Sequence, residues 1–309
     1  MKLSIGPVLF DWGKNGFRDF YKKMAFETEA DILYIGEVVC SKRYNLTPDE
    51  MVKLAEELKS SGKELVFSTL GLVMNEPEQQ ALRDIVAACK DLGIRYEAND
   101  MAAFYVGEGQ PAVAGPHITT YNPESADFLT TIGVDRIVMP VELSMDTVAM
   151  MIRKSSVPAE YELFAYGKIP LTFSARCYTS RAYNLPKSNC QYKCGDFADG
   201  MVMRTQEGKP LLTVNGIQTM SDKVFNVVDE MDAMASGGVD IARLSPQSKN
   251  MVEVVALWKQ ASEGKISGQE ARTKLIDMNN GQDFCNGYFH GRAGLDFVDA
   301  SMVQSEQLA

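Results

Sequence analysis

Apolar runs alternate with amphipathic helical patterns from the first residues of the chain, the order expected of βα units around a parallel sheet. Residues 3–9 read as a strand and 16–26 as a helix. Residues 31–37 (DILYIGE) form a second strand. The helix after it starts at Thr47, Pro48 and Glu50, which supply a cap, a first-turn proline and the acid of a capping box. A third strand covers 64–69, and a helix over 76–92 places Leu82, Ile85, Val86 and Cys89 on one face before Gly93 ends it. Further strands are predicted at 94–98, 112–119, 135–139, 161–166 and 239–244, with helices at 101–106, 125–132, 144–154 and 250–262. About eight such units predict an α/β fold, a (β/α)8-type parallel barrel. A doubly wound open sheet shares the alternation and is the alternative.

The rhythm breaks between Gly167 and Thr213, a stretch that holds three of the six Cys and a hairpin-like run, MVMRTQEGKPLLTV. This predicts a cysteine-bearing insertion after the seventh strand. The chain then divides into seven βα units (1–166), the insertion (167–213), the end of the barrel with a C-terminal element (214–299), and a polar, loosely held tail (300–309).

Composition narrows the function classes. With 31 Lys plus Arg against 41 Asp plus Glu, the net charge of −10 opposes a broad phosphate-binding surface. Six Cys in 309 residues are too few for a disulfide scaffold. Gly6, Pro7 and Asp11 interrupt the first apolar run, and no run approaches the roughly 18 residues of a membrane span, so the expected compartment is the cytoplasm. Thiols stay reduced there, and clustered Cys more often bind metal than pair.

Cys177, Cys190 and Cys194 are separated by twelve and three residues in SARCYTSRAYNLPKSNCQYKCGD, and Cys40 follows the second strand. In a closed parallel barrel the ends of strands two and seven share a face, so four thiolates can converge on zinc or an iron–sulfur cluster. The plain alternative is that they are small buried side chains. Cys89 fits that alternative on its helix face, while Cys285 stands without a companion thiol. Lys42, Arg43, Arg176, Arg181, Lys187 and Lys193 flank the four thiols and are expected to favour thiolate. The 17 Met, some of them clustered, are expected mainly to fill core.

The segment ELFAYGKIPLTFSARC resembles the signature of the collagenase-like peptidase family, peptidase family U32, in which an E-x-F-x-x-G element precedes a group of cysteines. KLSIGPVLFDWG, EVVCSKRYNLTPDE and NGYFHGRAG resemble one branch of it, the UbiV-type proteins of oxygen-independent ubiquinone biosynthesis. The resemblance implies a barrel and a 4Fe–4S cluster held by Cys40, Cys177, Cys190 and Cys194. It also implies a heterodimer with a related UbiU-type subunit, and hydroxylation of a ubiquinone precursor with a small carboxylate, prephenate, as oxygen donor. The spacing from Cys177 to Cys190 is shorter than that branch leads one to expect. Other members of the broad family hydroxylate tRNA, and a cluster-stabilised structural partner of a catalytic subunit is a further alternative.

The strand assignments place several polar residues at the catalytic face: Glu37, Asn99, Asp100, His117, Thr119, Glu142, Arg243 and Ser245. Glu37, His117 and Arg243 are the catalytic candidates. Arg243 is the most suggestive, since a guanidinium beside a cluster can hold a carboxylate donor bidentately. Each has an ordinary alternative as a helix cap or ion-pair partner. Proteolysis lacks a recognisable constellation: His117 and His290 are the only histidines, and no GxSxG or HExxH pattern occurs.

Overall fold

In a computed structural model, which describes residues 1–43, 46–279 and 284–299, the alternation closes on itself. Eight parallel strands form the ring: β1 (Lys2–Ile5), β2 (Ile32–Gly36), β3 (Glu64–Ser68), β4 (Arg95–Ala98), β5 (Ala112–Ala114), β6 (Val134–Met139), β7 (Glu160–Phe173) and, much later in the chain, β11 (Ile241–Leu244). Each pairs with the next, and β11 bonds both β7 and β1 in parallel register, which completes the barrel and rules out the open sheet. The predicted 300–309 tail lies outside the described residues.

Period-two alternation sorts the side chains. Leu3, Ile5, Leu33, Ile35, Leu65 and Phe67 face outward into one large core with the surrounding helices. Ile32, Val66, Val113, Val138 and Ile241 meet in a separate apolar layer inside the ring. Above and below that layer the interior is charged. Arg136, fully buried, donates to Glu160 at 2.6 Å, to Glu64 at 3.0 Å and to the Tyr34 hydroxyl at 3.2 Å. Arg243, 2% exposed, meets Glu97 and Glu162 at 2.6 Å each and lies 4.1 Å from the Tyr34 ring centre.

Local signals set most boundaries. Thr47 and Glu50 close the expected capping box on the helix Pro48–Leu58, and Gly93 ends Glu76–Leu92 in the left-handed region. The structure departs from expectation in several places: the first strand ends at Ile5, short of residue 9, and the helices Met231–Ser236 and Gly268–Met278 went unpredicted. The fifth strand stops at Ala114, where Pro116 starts a 3-10 turn over Pro116–Ile118. The seventh strand runs on to Phe173, because its distal half leaves the ring and pairs antiparallel with β10 (Gln218–Asn226). β10 itself went unpredicted, since Ser221, Asp222 and Lys223 interrupt its apolar pattern. It pairs with β9 (Pro210–Asn215), which pairs with β8 (Met201–Arg204) in the expected hairpin. This antiparallel extension rises from the rim as a continuation of the barrel wall. No helix among the described residues is long and apolar enough to cross a membrane.

Replacing Arg136 with Met removes one of the two cations from each of Glu64 and Glu160 at the barrel floor, leaving Arg95 on the first and Lys2 on the second. Breaking a buried pair costs about 3–5 kcal/mol where a charge is left uncompensated; since both carboxylates are about a third exposed and each keeps a second cation, about 3 kcal/mol is the upper bound. Urea denaturation of Arg136→Met should show a stability loss of about 1–3 kcal/mol, and an unchanged midpoint would remove this network from the account of stability.

Candidate functional site

Two features occupy the end of the barrel where the strands terminate. The first is a recess of about 370 Å³ of atom-free space, partly open to solvent, lined by Cys40, Cys177, Cys190 and Cys194 together. Cys89 and Cys285 lie apart from it, buried in the outer core.

Each thiol is placed by a local device. Glu37, just past β2, accepts the backbone N–H groups of Val39 (2.8 Å) and Cys40 (3.0 Å), which pins the Cys40 loop. Cys177 caps the short helix Tyr178–Ala182, its sulfur taking the Ser180 N–H at 3.4 Å. Between Cys190 and Cys194, Gln191 and Tyr192 both adopt left-handed backbone, φ 52° and 51°. Two such residues in succession cost of order 1–3 kcal/mol each and turn the chain so that both thiols face inward. The Cys194 thiol is 3.5 Å from Asp11 Oδ2.

Arg43 ties these pieces together. Nearly buried, it donates to the Leu9 carbonyl at 2.7 Å and to Asn215 Oδ1 at 2.6 Å, joining the loops after β1 and β2 to the β9–β10 turn. Gly216 leaves it room, since a Cβ there would stand 2.7 Å from Arg43 Nη2. Its Nε faces no hydrogen-bond partner.

The electrostatics correct one expectation. Burial pushes the Cys194 thiol up to about 11; Arg43 opposes this and Asp11 adds to it. Burial likewise raises Cys40. Flanking bases therefore do not make these two thiols thiolates by themselves. The lysines are committed elsewhere: Lys42 to the Lys187 carbonyl, Lys187 to the Ala175 carbonyl, and Lys193 to Asp196. Among the described residues no three His, Cys, Asp or Glu side chains converge on a single-ion centre. The thiols ring a space instead of meeting at a point.

The second feature is the barrel mouth, which gathers Glu97, Asn99, His117, Arg243 and Ser245 around one cavity. His117 packs edge-on against Phe173 at 4.7 Å between ring centres, and burial, with Arg243 nearby, lowers its pKa to about 4. Arg243 has Nε on Glu162 and Nη1 on Glu97, so a bidentate grip on a carboxylate has only Nη2 left.

The other expected residues serve elsewhere. Asp100 caps Met101–Val106 through the Ala102 N–H, Glu142 is exposed and bonded to Tyr121, and Thr119 is exposed at a left-handed turn. Glu37 lines a different apolar space with Leu46, Met51 and Leu82; burial raises its pKa to about 7 against the pull of Arg43. Sequence reasoning passed over Asp11, Asn215, Glu97 and Glu162. Glu162 opens the E-x-F-x-x-G element, though no role was drawn from it, and the signal for Glu97 was a carboxylate within a strand.

With both sites described, the comparisons place the chain in a family. The sequence profile of Peptidase family U32 matches residues 21–297, and the chain belongs to that family. It is 23% identical over 297 residues to a collagenase of Porphyromonas gingivalis, covering 87% of this chain and 70% of that protein. It is 23% identical over 305 residues to tRNA hydroxylation protein P1 of Bacillus subtilis, covering 89% and 69%. Among solved structures, a U32 peptidase aligns at TM-score 0.47 and 14% identity over 81% of this chain and 94% of the other. Thiamine phosphate pyrophosphorylase of Pyrococcus furiosus aligns at 0.43 and 11%, over 87% and 96%.

The lowered pKa of His117 has a direct consequence. The unfolded chain protonates this imidazole near 6.5, whereas the folded chain resists until about 4, so stability falls as pH drops through that window. Denaturation midpoints at pH 7 and pH 4.5 should lie closer together in His117→Gln than in the native chain. Equal pH slopes would show that His117 titrates normally.

Proposed function

We propose that Cys40, Cys177, Cys190 and Cys194 hold a 4Fe–4S cluster, and that the chain is the iron–sulfur subunit of an oxygen-independent hydroxylase. In this reading it is a UbiV-type protein that works with a related UbiU-type subunit on a ubiquinone precursor, the oxygen coming from a small carboxylate donor. The observation that carries the proposal is the gathering of four of the six cysteines around one recess. A cluster gives each iron its own thiolate, so it suits sulfurs that ring a space. Bound there, it supplies one-electron chemistry. The protein's part is to fix the thiols through Glu37, the Cys177 cap and the Gln191–Tyr192 turn, and to set a buried guanidinium, Arg43, beside them. Deprotonating raised thiols on loading also couples assembly to proton release.

A hydroxylation role agrees with the name of the Bacillus subtilis relative, although that protein's tRNA substrate sits poorly with a net charge of −10. Proteolysis has less support. His290 pairs with Glu230 at 3.0 Å and His117 packs on Phe173, so neither histidine is bonded to a Ser or Cys nucleophile among the described residues.

Anaerobic purification with iron and sulfide analysis tests the cluster. A brown protein with about four irons per chain is expected, its visible absorbance abolished by Cys40→Ala and untouched by Cys89→Ala. A colourless protein carrying zinc, or equal loss in both variants, overturns the ligand assignment. Co-expression with a related subunit, followed by assay of ring hydroxylation, tests the partnership.

A further inference from the structure

A cleft of about 270 Å³, partly open to solvent, lies where β7 leaves the ring, between the antiparallel extension and the loop that follows β11. A cavity of about 150 Å³ holds a benzene ring, and small-molecule sites begin near 300 Å³, so this space admits one ring or short chain with a polar head. It shares no lining residue with the cysteine recess or the barrel mouth.

Its polar wall is unsatisfied. Lys168, 8% exposed, donates to the Thr213 hydroxyl at 2.8 Å and to the Asp199 carbonyl at 3.2 Å, and no carboxylate among the described residues comes within ion-pairing distance of its ammonium. Burial lowers its pKa, with Asp222 and Asp199 opposing from farther off. A buried charge without a counterion is costly, and this one keeps a third donor to spare. Tyr166, 6% exposed, brings a hydroxyl that meets no hydrogen-bond partner among the described residues. Arg204 and Lys249 complete the cationic lining from exposed positions; Arg204 donates to the Gly208 carbonyl, and neither joins an ion pair among the described residues.

Asn250 borders the same space. It precedes the helix Met251–Ser262 and gives it no side-chain cap, its Nδ2 donating to the Met278 carbonyl instead. That helix end adds about half a positive charge. Of the two acids in the lining, Asp199 is taken up by the Ser248 N–H and hydroxyl. Three cations and the helix end against two carboxylates leave an excess of about one and a half positive charges, in a chain whose net charge is −10. A phosphate monoester carries roughly −1.5 to −2 near neutral pH and matches that excess better than a carboxylate does. By analogy of architecture, (β/α)8 barrels recurrently seat phosphate between the loops after strands seven and eight and a helix N-terminus.

We infer that this cleft binds a small phosphate monoester, its phosphate held by Lys168, Arg204 and Lys249 with the Tyr166 hydroxyl as a further donor, and its organic body against Val202, Pro210, Val224, Val254 and Met278. The guanidinium fork of Arg204 suits two phosphate oxygens, and the ammonium of Lys168 supplies the buried point charge. This inference goes beyond the cluster reading and stands without it.

Fluorine NMR titration of the full chain with 4-fluorophenyl phosphate, 4-fluorobenzoate and 4-fluorophenol tests it, since the three probes put a phosphate, a carboxylate and a hydroxyl on the same ring. The phosphate should bind at a single site about tenfold more tightly than either other probe, as expected for one further charge-assisted hydrogen bond. Inorganic phosphate should displace it with about tenfold lower affinity, because it buries no ring. Lys168→Met should weaken the phosphate probe about tenfold, and Arg204→Gln and Lys249→Gln about threefold each, with phenol affinity unchanged. The last two positions are exposed and keep the fold, so they decide the matter if Lys168→Met loses its near-UV dichroism. Benzoate or phenol binding as tightly as the phosphate, or phosphate affinity unchanged in the folded variants, overturns the inference. Inorganic phosphate binding as tightly as the ester overturns the assignment of an organic body. A chain that holds iron but not the ester fails here only, and one that binds the ester but not iron fails only in the cluster.

Discussion

The lumen at the open end of this barrel is arranged around the guanidinium of Arg243 and its two buried carboxylates. Inside a ring of eight strands these side chains are shut off from bulk solvent, so Glu97, Glu162 and Arg243 satisfy one another across the lumen. Ser4 and Tyr34 add hydroxyl hydrogen bonds to Glu162 at 2.6 and 2.5 Å. The network thus links β1, β2, β4, β7 and β11, strands far apart in sequence, at one level of the barrel. It is also what leaves Arg243 Nη2 and Asn99 Oδ1 free, because the remaining donors and acceptors of both side chains are taken by their neighbours.

The cysteine recess depends on a parallel device at the rim. Arg43 does for the loops what Arg243 does for the strands, holding the Leu9 carbonyl and Asn215 beside the Cys40 turn. Three of the thiols come from the segment that follows β7, and the fourth from the loop after β2. The left-handed pair Gln191 and Tyr192 shows that local backbone preference yields there to the placement of Cys190 and Cys194.

The barrel was legible in the sequence because its signals are local. Capping at Thr47, termination at Gly93 and the continuous apolar run in DILYIGE each need only a short window of residues. β10 was not legible, since an Asp and a Lys inside a strand look like a loop unless its antiparallel partner is known. The four cysteines could be nominated from spacing and resemblance, whereas their common recess is a fact of tertiary placement. The fate of the polar candidates was least legible. Asn99 and Asp100 are adjacent, yet one faces the cavity and the other caps a helix, a difference set by which side of the wall the chain turns to after β4. Glu97 and Glu162 drew no role from the sequence and are the counterions on which Arg243 depends.

The length of β7 gives one strand two roles. Its first half is a stave of the barrel, bonded to β6 and β11, and its second half is the base of the antiparallel extension. Along that one strand, Phe164 and Pro170 wall the mouth cavity, and Phe173 reaches the apolar cluster under Cys40 and Cys177. Past Gly167 the strand is bonded along one edge only, to β10, so Pro170 and Phe173 lie on one short segment that joins the mouth cavity to the apolar cluster against which Cys40 and Cys177 pack.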